Sequence, residues 1–272
     1  MIEHKSNGIS IFQFENLAKF DLIHHFVSSR SGGASPPPFH SLNMGMHVGD
    51  TGHLVLQNRK ILSQALGAEP HSFVFANQTH SAHVMHVTAN QRGAGFLDTH
   101  SALPDTDAMI TNTPDLWLCV QVADCVPILL YDKGQNAVAS IHAGWRGIVK
   151  QIVKHTVEAM MMQFGSDPSH IVAGIGPSNG PCCYEVGEEV ASAARLLPEC
   201  EHGVLLPSVK PDKYFFNQSQ AVKQQLISSG LNPNLIEISG LCTQCLDHTF
   251  FSSRAGKGVT GRFAAGIMLR KN

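Results

Sequence analysis

The chain has 272 residues, 43% of them hydrophobic and 15% charged, and a formal net charge of −2. That balance allows a large buried core and excludes the basic footprint of a nucleic-acid binder. No apolar run reaches the roughly 18 residues of a spanning helix, and the N-terminus lacks a signal-peptide profile, so the expectation is a cytoplasmic protein without a membrane partner.

The seven cysteines are odd in number and scattered, which reads as reduced thiols rather than a disulfide framework. Residues 31–38 are loop-like but lie too near the N-terminus to divide two domains. A helix is predicted over residues 53–66, with Asp50 or Thr51 as cap and Gly67 as stop. Strand character follows over 73–87. Three short runs rich in Val, Ile and Leu, at 116–122, 126–131 and 137–141, are separated by Asp, Pro, Gly or Asn and predict strands.

A helix is expected from 148 to 164, stopped by Gly165, then a strand at 171–175. Another helix is expected over 213–229, capped by Asp212 and ended by Gly230, then strands at 235–238 and 263–269. Strands and helices alternate, but not at the spacing of a doubly wound sheet. The fold class expected is α/β, a mixed α+β sandwich with mixed β-sheets flanked by helices, forming one domain over 1–272.

Two segments carry the chemistry. Val122-Ala123-Asp124-Cys125-Val126-Pro127 places a thiol at a strand break, and Ile141-His142-Ala143-Gly144-Trp145-Arg146-Gly147 places an imidazole at a strand end. Strand ends are where α/β folds gather their ligands. A third donor lies in Gln78-Thr79-His80-Ser81-Ala82-His83, where His80, His83 and His86 all qualify. If the segment is a strand, His80 and His86 face one way and His83 the other. One Cys and two His suit zinc with an open fourth position. The same Cys125 and His142 also suit a metal-free cysteine hydrolase, with nucleophile and base.

Groups suited to an anion or substrate are Asn43, Arg59, Arg146 and the helix start after Gly144. Asn58-Arg59 sits within an otherwise apolar helical pattern, which favours an inward-facing role. Cys242-Thr243-Gln244-Cys245 is a lone C-x-x-C with no second pair, and the adjacent Cys182 and Cys183 are expected to diverge. Asp105-Thr106-Asp107 reads as turn-capping carboxylates.

These pieces together resemble the YfiH family, the laccase-domain or "polyphenol oxidase" proteins regarded as purine nucleoside phosphorylases. The resemblance runs nearly end to end. It includes Ser41-Leu42-Asn43-Met44-Gly45, Asn58-Arg59, Gln78-Thr79-His80, Thr106-Asp107-Ala108 and Ala123-Asp124-Cys125-Val126-Pro127. It continues through His142-Ala143-Gly144-Trp145-Arg146-Gly147, Gly180-Pro181-Cys182-Cys183-Tyr184-Glu185-Val186, Cys242-Thr243 and Phe250-Phe251-Ser252-Ser253-Arg254 to Thr260-Gly261-Arg262. The family's usual Gln-Val-His-Gly is Gln78-Thr79-His80-Ser81 here, and its Gly-Pro-x-Ile-Gly-Pro-Cys-Cys is Gly176-Pro177-Ser178-Asn179-Gly180-Pro181-Cys182-Cys183.

The resemblance implies zinc held by His80, Cys125 and His142. It also implies phosphorolysis of adenosine, inosine or guanosine to base and ribose-1-phosphate, with adenosine deamination and methylthioadenosine cleavage as related activities. Substrate contacts would come from Asn43, Arg59, Gln78 and Arg146. The H-x-E…P-C-x-x-C signature of zinc nucleobase deaminases is missing, which leaves Asp124 as the expected proton-handling residue. A monomer or weak homo-oligomer is expected.

The laccase name invites a copper reading. Multicopper oxidases organise their histidines largely as H-x-H pairs, yet among 16 histidines no two are separated by one residue. Adventitious copper on the His/Cys donors would still give weak polyphenol oxidase activity, because Cu²⁺ binds such donors more tightly than Zn²⁺.

Overall fold

The computed structural model describes residues 1–198, 200 and 203–271. Two six-stranded sheets dominate. The first runs, in spatial order, β1 (Ile2–Ser6), β2 (Ile9–Gln13), β3 (Ile23–Ser28), β15 (Phe263–Leu269), β7 (Trp117–Val122) and β4 (Phe73–Phe75). The second runs β14 (Ile236–Ile238), β10 (Ile171–Ile175), β8 (Val126–Asp132), β9 (Ala137–Ala143), β6 (Ala108–Thr111) and β5 (Val84–His86). A small third sheet joins β11 (Glu185–Gly187), β13 (Lys213–Phe216) and β12 (Leu205–Pro207). Both large sheets mix parallel and antiparallel pairs: β4 with β7, β5 with β6 and β10 with β14 are parallel.

The two large sheets pack face to face. Leu118, Val120 and Val122 of β7 share one apolar cluster with Leu129 and Tyr131 of β8 and Val138 of β9. The other face of the second sheet, through Val126, Ile128, Leu130 and Ile141, shares one apolar cluster with α2 (Trp145–Val149), α3 (Ile152–Phe164), α4 (Glu188–Arg195) and α5 (Gln218–Ser228). The other face of the first sheet, through Phe26, Phe73, Trp117 and Cys119, packs on Leu62 of α1 (Gly52–Ala65). Central strands are thus covered on both faces. Continuous apolar runs, rather than in–out alternation, are the consequence. This is the expected mixed α/β sandwich.

Several elements differ from the sequence-based expectation. The helix expected over 148–164 is two helices, because Gln151 adopts a left-handed conformation (φ 59°) between α2 and α3. The helix expected over 213–229 starts later. The aromatic run Tyr214-Phe215-Phe216 pairs as strand β13 between β11 and β12, and α5 is capped by Asn217, whose side chain accepts from Gln220 N at 3.1 Å. The stretch 73–87 is not one strand. It divides into β4 and β5, which belong to different sheets, so strand alternation does not govern the histidines between them. The hairpin β1–β2 and strand β3 carried no clear sequence signal.

Candidate metal centre and its cleft

Two chain segments cross from the first sheet to the second, and each carries a metal-type donor. Residues 123–125 link β7 to β8 and carry Cys125; residues 76–83 link β4 to β5 and carry His80. His142 stands one residue before the end of β9, paired opposite Pro127 of β8. The donor atoms of His80, Cys125 and His142 all lie within 4.8 Å of one another. Cys125 Sγ is 3.7 Å from His80 Nε2. Zinc–sulfur and zinc–nitrogen bonds at a tetrahedral angle put such a pair about 3.6 Å apart. The donor set and its spacing fit zinc.

Asp107 organises the site. It is fully buried just before β6. His142 Nδ1 donates to its Oδ1 at 2.7 Å, which leaves Nε2 as the ring's metal-facing nitrogen. The backbone amides of Thr79 (3.2 Å), His80 (3.1 Å) and Ser81 (2.7 Å) and the Ser81 hydroxyl (2.8 Å) also donate to the same carboxylate. One carboxylate therefore orients His142 and pins the loop that presents His80, itself at φ 60°. The expectation of a turn-capping role missed this; an Asp immediately ahead of a fully buried strand was the available signal.

Charge in the cluster is strongly biased. Burial opposes an ionised Asp107, but its bonds to His142 and Ser81 hold it at about 2. Burial likewise opposes charge on the next two groups. His142 is nevertheless raised to about 9 by the Cys125 thiolate and Asp107, and Cys125 is lowered to about 6 by His142 and His80. The thiol is poised as a thiolate, the form that binds metal. Gly144 leaves room for the ligands: a Cβ there would lie 2.6 Å from His80 Cδ2 and 3.0 Å from Cys125 Sγ.

The three donors line a cleft of about 510 Å³, together with His47, Gln78, Gln121, Asp124, Asn179 and Tyr184. Its basic wall is formed by Arg254, Lys257 and Arg262. Those arginines were visible in sequence as motif pieces, without an assigned role. Gln78 lines the cleft, although its amide is tied to the Gln121 backbone through Oε1 and Nε2, both at 2.8 Å. The Asp124 carboxylate accepts from Thr243 Oγ1 and from Arg254 N, both at 2.6 Å, and so braces the loops on either side.

Three of the residues expected to bind substrate do not line this cleft. Asn43 is fully buried, with Nδ2 on Asp50 and Gly45 O and Oδ1 accepting from Gly45 N and Arg262 N. Arg59 faces inward as anticipated, but its guanidinium donates to the carbonyls of Met44, Gly95 and Phe96 and lies over the Phe75 ring. Arg146 lies outside the cleft, over the Trp145 ring and 3.8 Å from Glu189. The helix start after Gly144 is a five-residue element, too short for a substantial N-terminal dipole. Among the described residues, one other donor group comes together, Cys182, Cys183, Cys242 and Cys245. The histidine clusters of a multinuclear copper centre are not found among those residues.

The chain is similar to known proteins along most of its length. The family described as multi-copper polyphenol oxidoreductase laccase matches residues 24–270. Purine nucleoside phosphorylase YlmD of Bacillus subtilis (strain 168) is 38% identical over 244 residues, covering 90% of this chain and 87% of that protein. Adenosine deaminase RL5, from an unknown prokaryotic organism, is 33% identical over 245 residues, covering 90% and 93%. The crystal structure of Bacillus licheniformis hypothetical protein YfiH superposes with a TM-score of 0.92 at 35% identity, covering 98% of this chain and 99% of that one.

Proposed function

The chain belongs to the YfiH family of laccase-domain proteins, and we propose that it is a zinc-dependent purine nucleoside phosphorylase. Its substrates would be adenosine, inosine or guanosine together with phosphate. The observation that carries this reading is the cleft itself, lined by one Cys/His₂ donor set and by three basic residues, Arg254, Lys257 and Arg262. Relatives named for purine nucleoside phosphorolysis support it.

In the reaction, an oxygen of hydrogen phosphate attacks C1′ of the ribose, the C1′–N9 bond breaks, the electron pair leaves with the purine, and the proton that hydrogen phosphate gives up is balanced by the one the purine takes up. Arg254, Lys257 and Arg262 would bind the phosphate, holding it in place and offsetting its charge. This assigns the anion role to the C-terminal loop in place of Asn43, Arg59 and Arg146. His80, Cys125 and His142 would hold the zinc, which when bound would supply a localised positive charge in the cleft. Asp107 fixes the ring orientation of His142. Asp124, committed to Thr243 and Arg254 N, would hold the Arg254 backbone and the Cys125 turn in register. His47, kept neutral because burial lowers it to about 4, would offer an uncharged hydrogen-bonding edge to the base or sugar.

Phosphate-dependent release of hypoxanthine from inosine, measured alongside elemental analysis of protein purified without added metal, tests the proposal. Failure to consume any purine nucleoside with zinc bound would refute the substrate. Undiminished turnover after rigorous chelation would refute the metal's role. Adenosine deamination and methylthioadenosine cleavage are proposed as lesser activities of the same cleft, the first because relative RL5 carries a deaminase name.

A second reading has one specific observation in its favour. Cys125, His142 and Asp107 stand in the order nucleophile, base and orienting carboxylate, with the thiol at about 6 and the imidazole at about 9. A metal-free cysteine hydrolase predicts turnover that survives chelation and is abolished by iodoacetamide.

A further inference from the structure

The structure assigns a second, structural zinc site to Cys182, Cys183, Cys242 and Cys245, in which four thiolates close the coordination shell. Strands β10 and β14 lie side by side and parallel, with Ala173 opposite Ile236 and Ile175 opposite Ile238. The loops that follow them therefore leave the sheet together. They stay paired: Ser178 N donates to Leu241 O at 3.2 Å, and Thr243 N donates to Ser178 O at 3.0 Å. This pairing brings two sequence-distant cysteine pairs to one place.

Each loop then turns its thiols inward. Cys183 N and Tyr184 N both donate to Gly180 O (3.0 and 2.8 Å), curling the chain so that the adjacent cysteines converge rather than diverge. Leu246 N donates to Cys242 O at 3.0 Å and closes the second turn. Cys245 Sγ lies 3.6 Å from Cys182 Sγ and 3.4 Å from Cys183 Sγ, and all four sulfurs fall within 4.8 Å of one another. A zinc tetrathiolate with bonds near 2.3 Å has sulfur–sulfur edges of about 3.8 Å. Gly180 N also donates to Cys242 Sγ at 3.3 Å, the amide-to-sulfur contact that supports a ligating thiolate.

Four soft donors select zinc over hard cations and leave no open position, which marks a structural rather than a reactive site. Cys182 and Cys245 are exposed, so the ion has a route of entry. Binding releases the thiol protons and changes no oxidation state. The same two loops hold the cleft: Asn179 N donates to Asp124 O at 2.9 Å, and Thr243 Oγ1 donates to the Asp124 carboxylate. Zinc here would cross-link the wall beside Cys125.

Elemental analysis of the full chain, purified under reducing conditions without added metal, is expected to give two zinc ions per chain. Cys125→Ser removes the cleft site and is expected to retain one zinc, so this arm stands or falls independently of the proposed function. Cys182→Ser/Cys183→Ser is expected to lose one zinc from the wild-type count. Cobalt reconstitution of Cys125→Ser, which needs no change to the four cysteines, is expected to show the intense thiolate-to-cobalt charge transfer of a tetrathiolate. No zinc and no such band in Cys125→Ser would overturn the assignment. So would two fewer free thiols than the chain's cysteines on denaturation without reductant, which would show a disulfide in place of the ion.

Discussion

His142 Nδ1 donates to Asp107 Oδ1 at 2.7 Å, and through that bond a buried carboxylate decides which imidazole nitrogen faces the cleft. Asp107→Asn keeps the size of the side chain but loses the charge, and it sets an amide donor against the Ser81 and Thr79 donors. The expected result is a zinc affinity weakened about 10- to 100-fold, the usual cost of removing such a partner. A competition assay with a zinc-binding dye measures it. Unchanged affinity would show that His142 needs no orienting partner.

This relationship also shows where sequence reasoning reached and where it stopped. Cys125 and His142 were legible because each sits where an apolar run ends, and both sheet faces being covered made those runs conspicuous. His80 was singled out only by the resemblance, because its loop has no periodicity to read. Asp107 resembled a turn cap because burial of its carboxylate depends on β9 and the 79–81 loop, both far away in sequence. The inward-facing position of Arg59 was legible, but not its purpose, since the carbonyls it satisfies belong to residues 44, 95 and 96. The convergence of Cys182 and Cys183 on Cys245 needed the parallel pairing of β10 and β14, which no local pattern encodes.

The reassignment of the anion-binding groups makes a paired prediction. Arg254→Gln is expected to raise the KM for phosphate at least about 10-fold, in line with the loss of a charge-assisted hydrogen bond, while zinc content stays unchanged. Arg59→Met is expected to leave that KM alone and to lower the melting temperature. It strands the buried carbonyls of Met44, Gly95 and Phe96, at roughly 1–3 kcal/mol for each unsatisfied group. Steady-state kinetics and thermal melts on both variants decide it. The opposite pattern would return Arg59 to the substrate site.

His25 predicts an acid-sensitive core. Its ring is buried in β3, and Nε2 accepts a hydrogen bond from Phe14 N at 2.9 Å, which requires the neutral form. Burial lowers it to about 4, against the opposing pull of the Glu237 carboxylate. As pH falls below about 6.5 the unfolded chain takes up a proton that the folded chain refuses until about 4. Stability therefore rises with pH across that window and falls on acidification, by roughly 3 kcal/mol from this residue. Below about 4 both states carry the proton and the contribution stops growing. Urea unfolding at several pH values is expected to give a shallower acid loss for His25→Gln than for wild type. Parallel curves would remove His25 from the account.

Gly144 offers the most direct test of whether the three donors converge as described. Its backbone lies at φ −75° and ψ 168°, a conformation open to any residue, so alanine there carries no backbone strain. The added Cβ nonetheless falls 2.6 Å from His80 Cδ2 and 3.0 Å from Cys125 Sγ, closer than carbon or sulfur contacts allow. His80 lies on a crossing loop and can give way more readily than the β9–α2 backbone, so the imidazole should leave its position. Gly144→Ala is therefore expected to keep the wild-type melting temperature without metal and to lose zinc affinity at least about 10-fold, on the scale of disturbing a single ligand's orientation. Gly52→Ala, where an added Cβ meets nothing within 4 Å, is the matched control and is expected to keep both. If Gly144→Ala binds zinc as tightly as wild type, His80 is not held against Cys125 in the way the geometry requires, and the third ligand must be sought elsewhere.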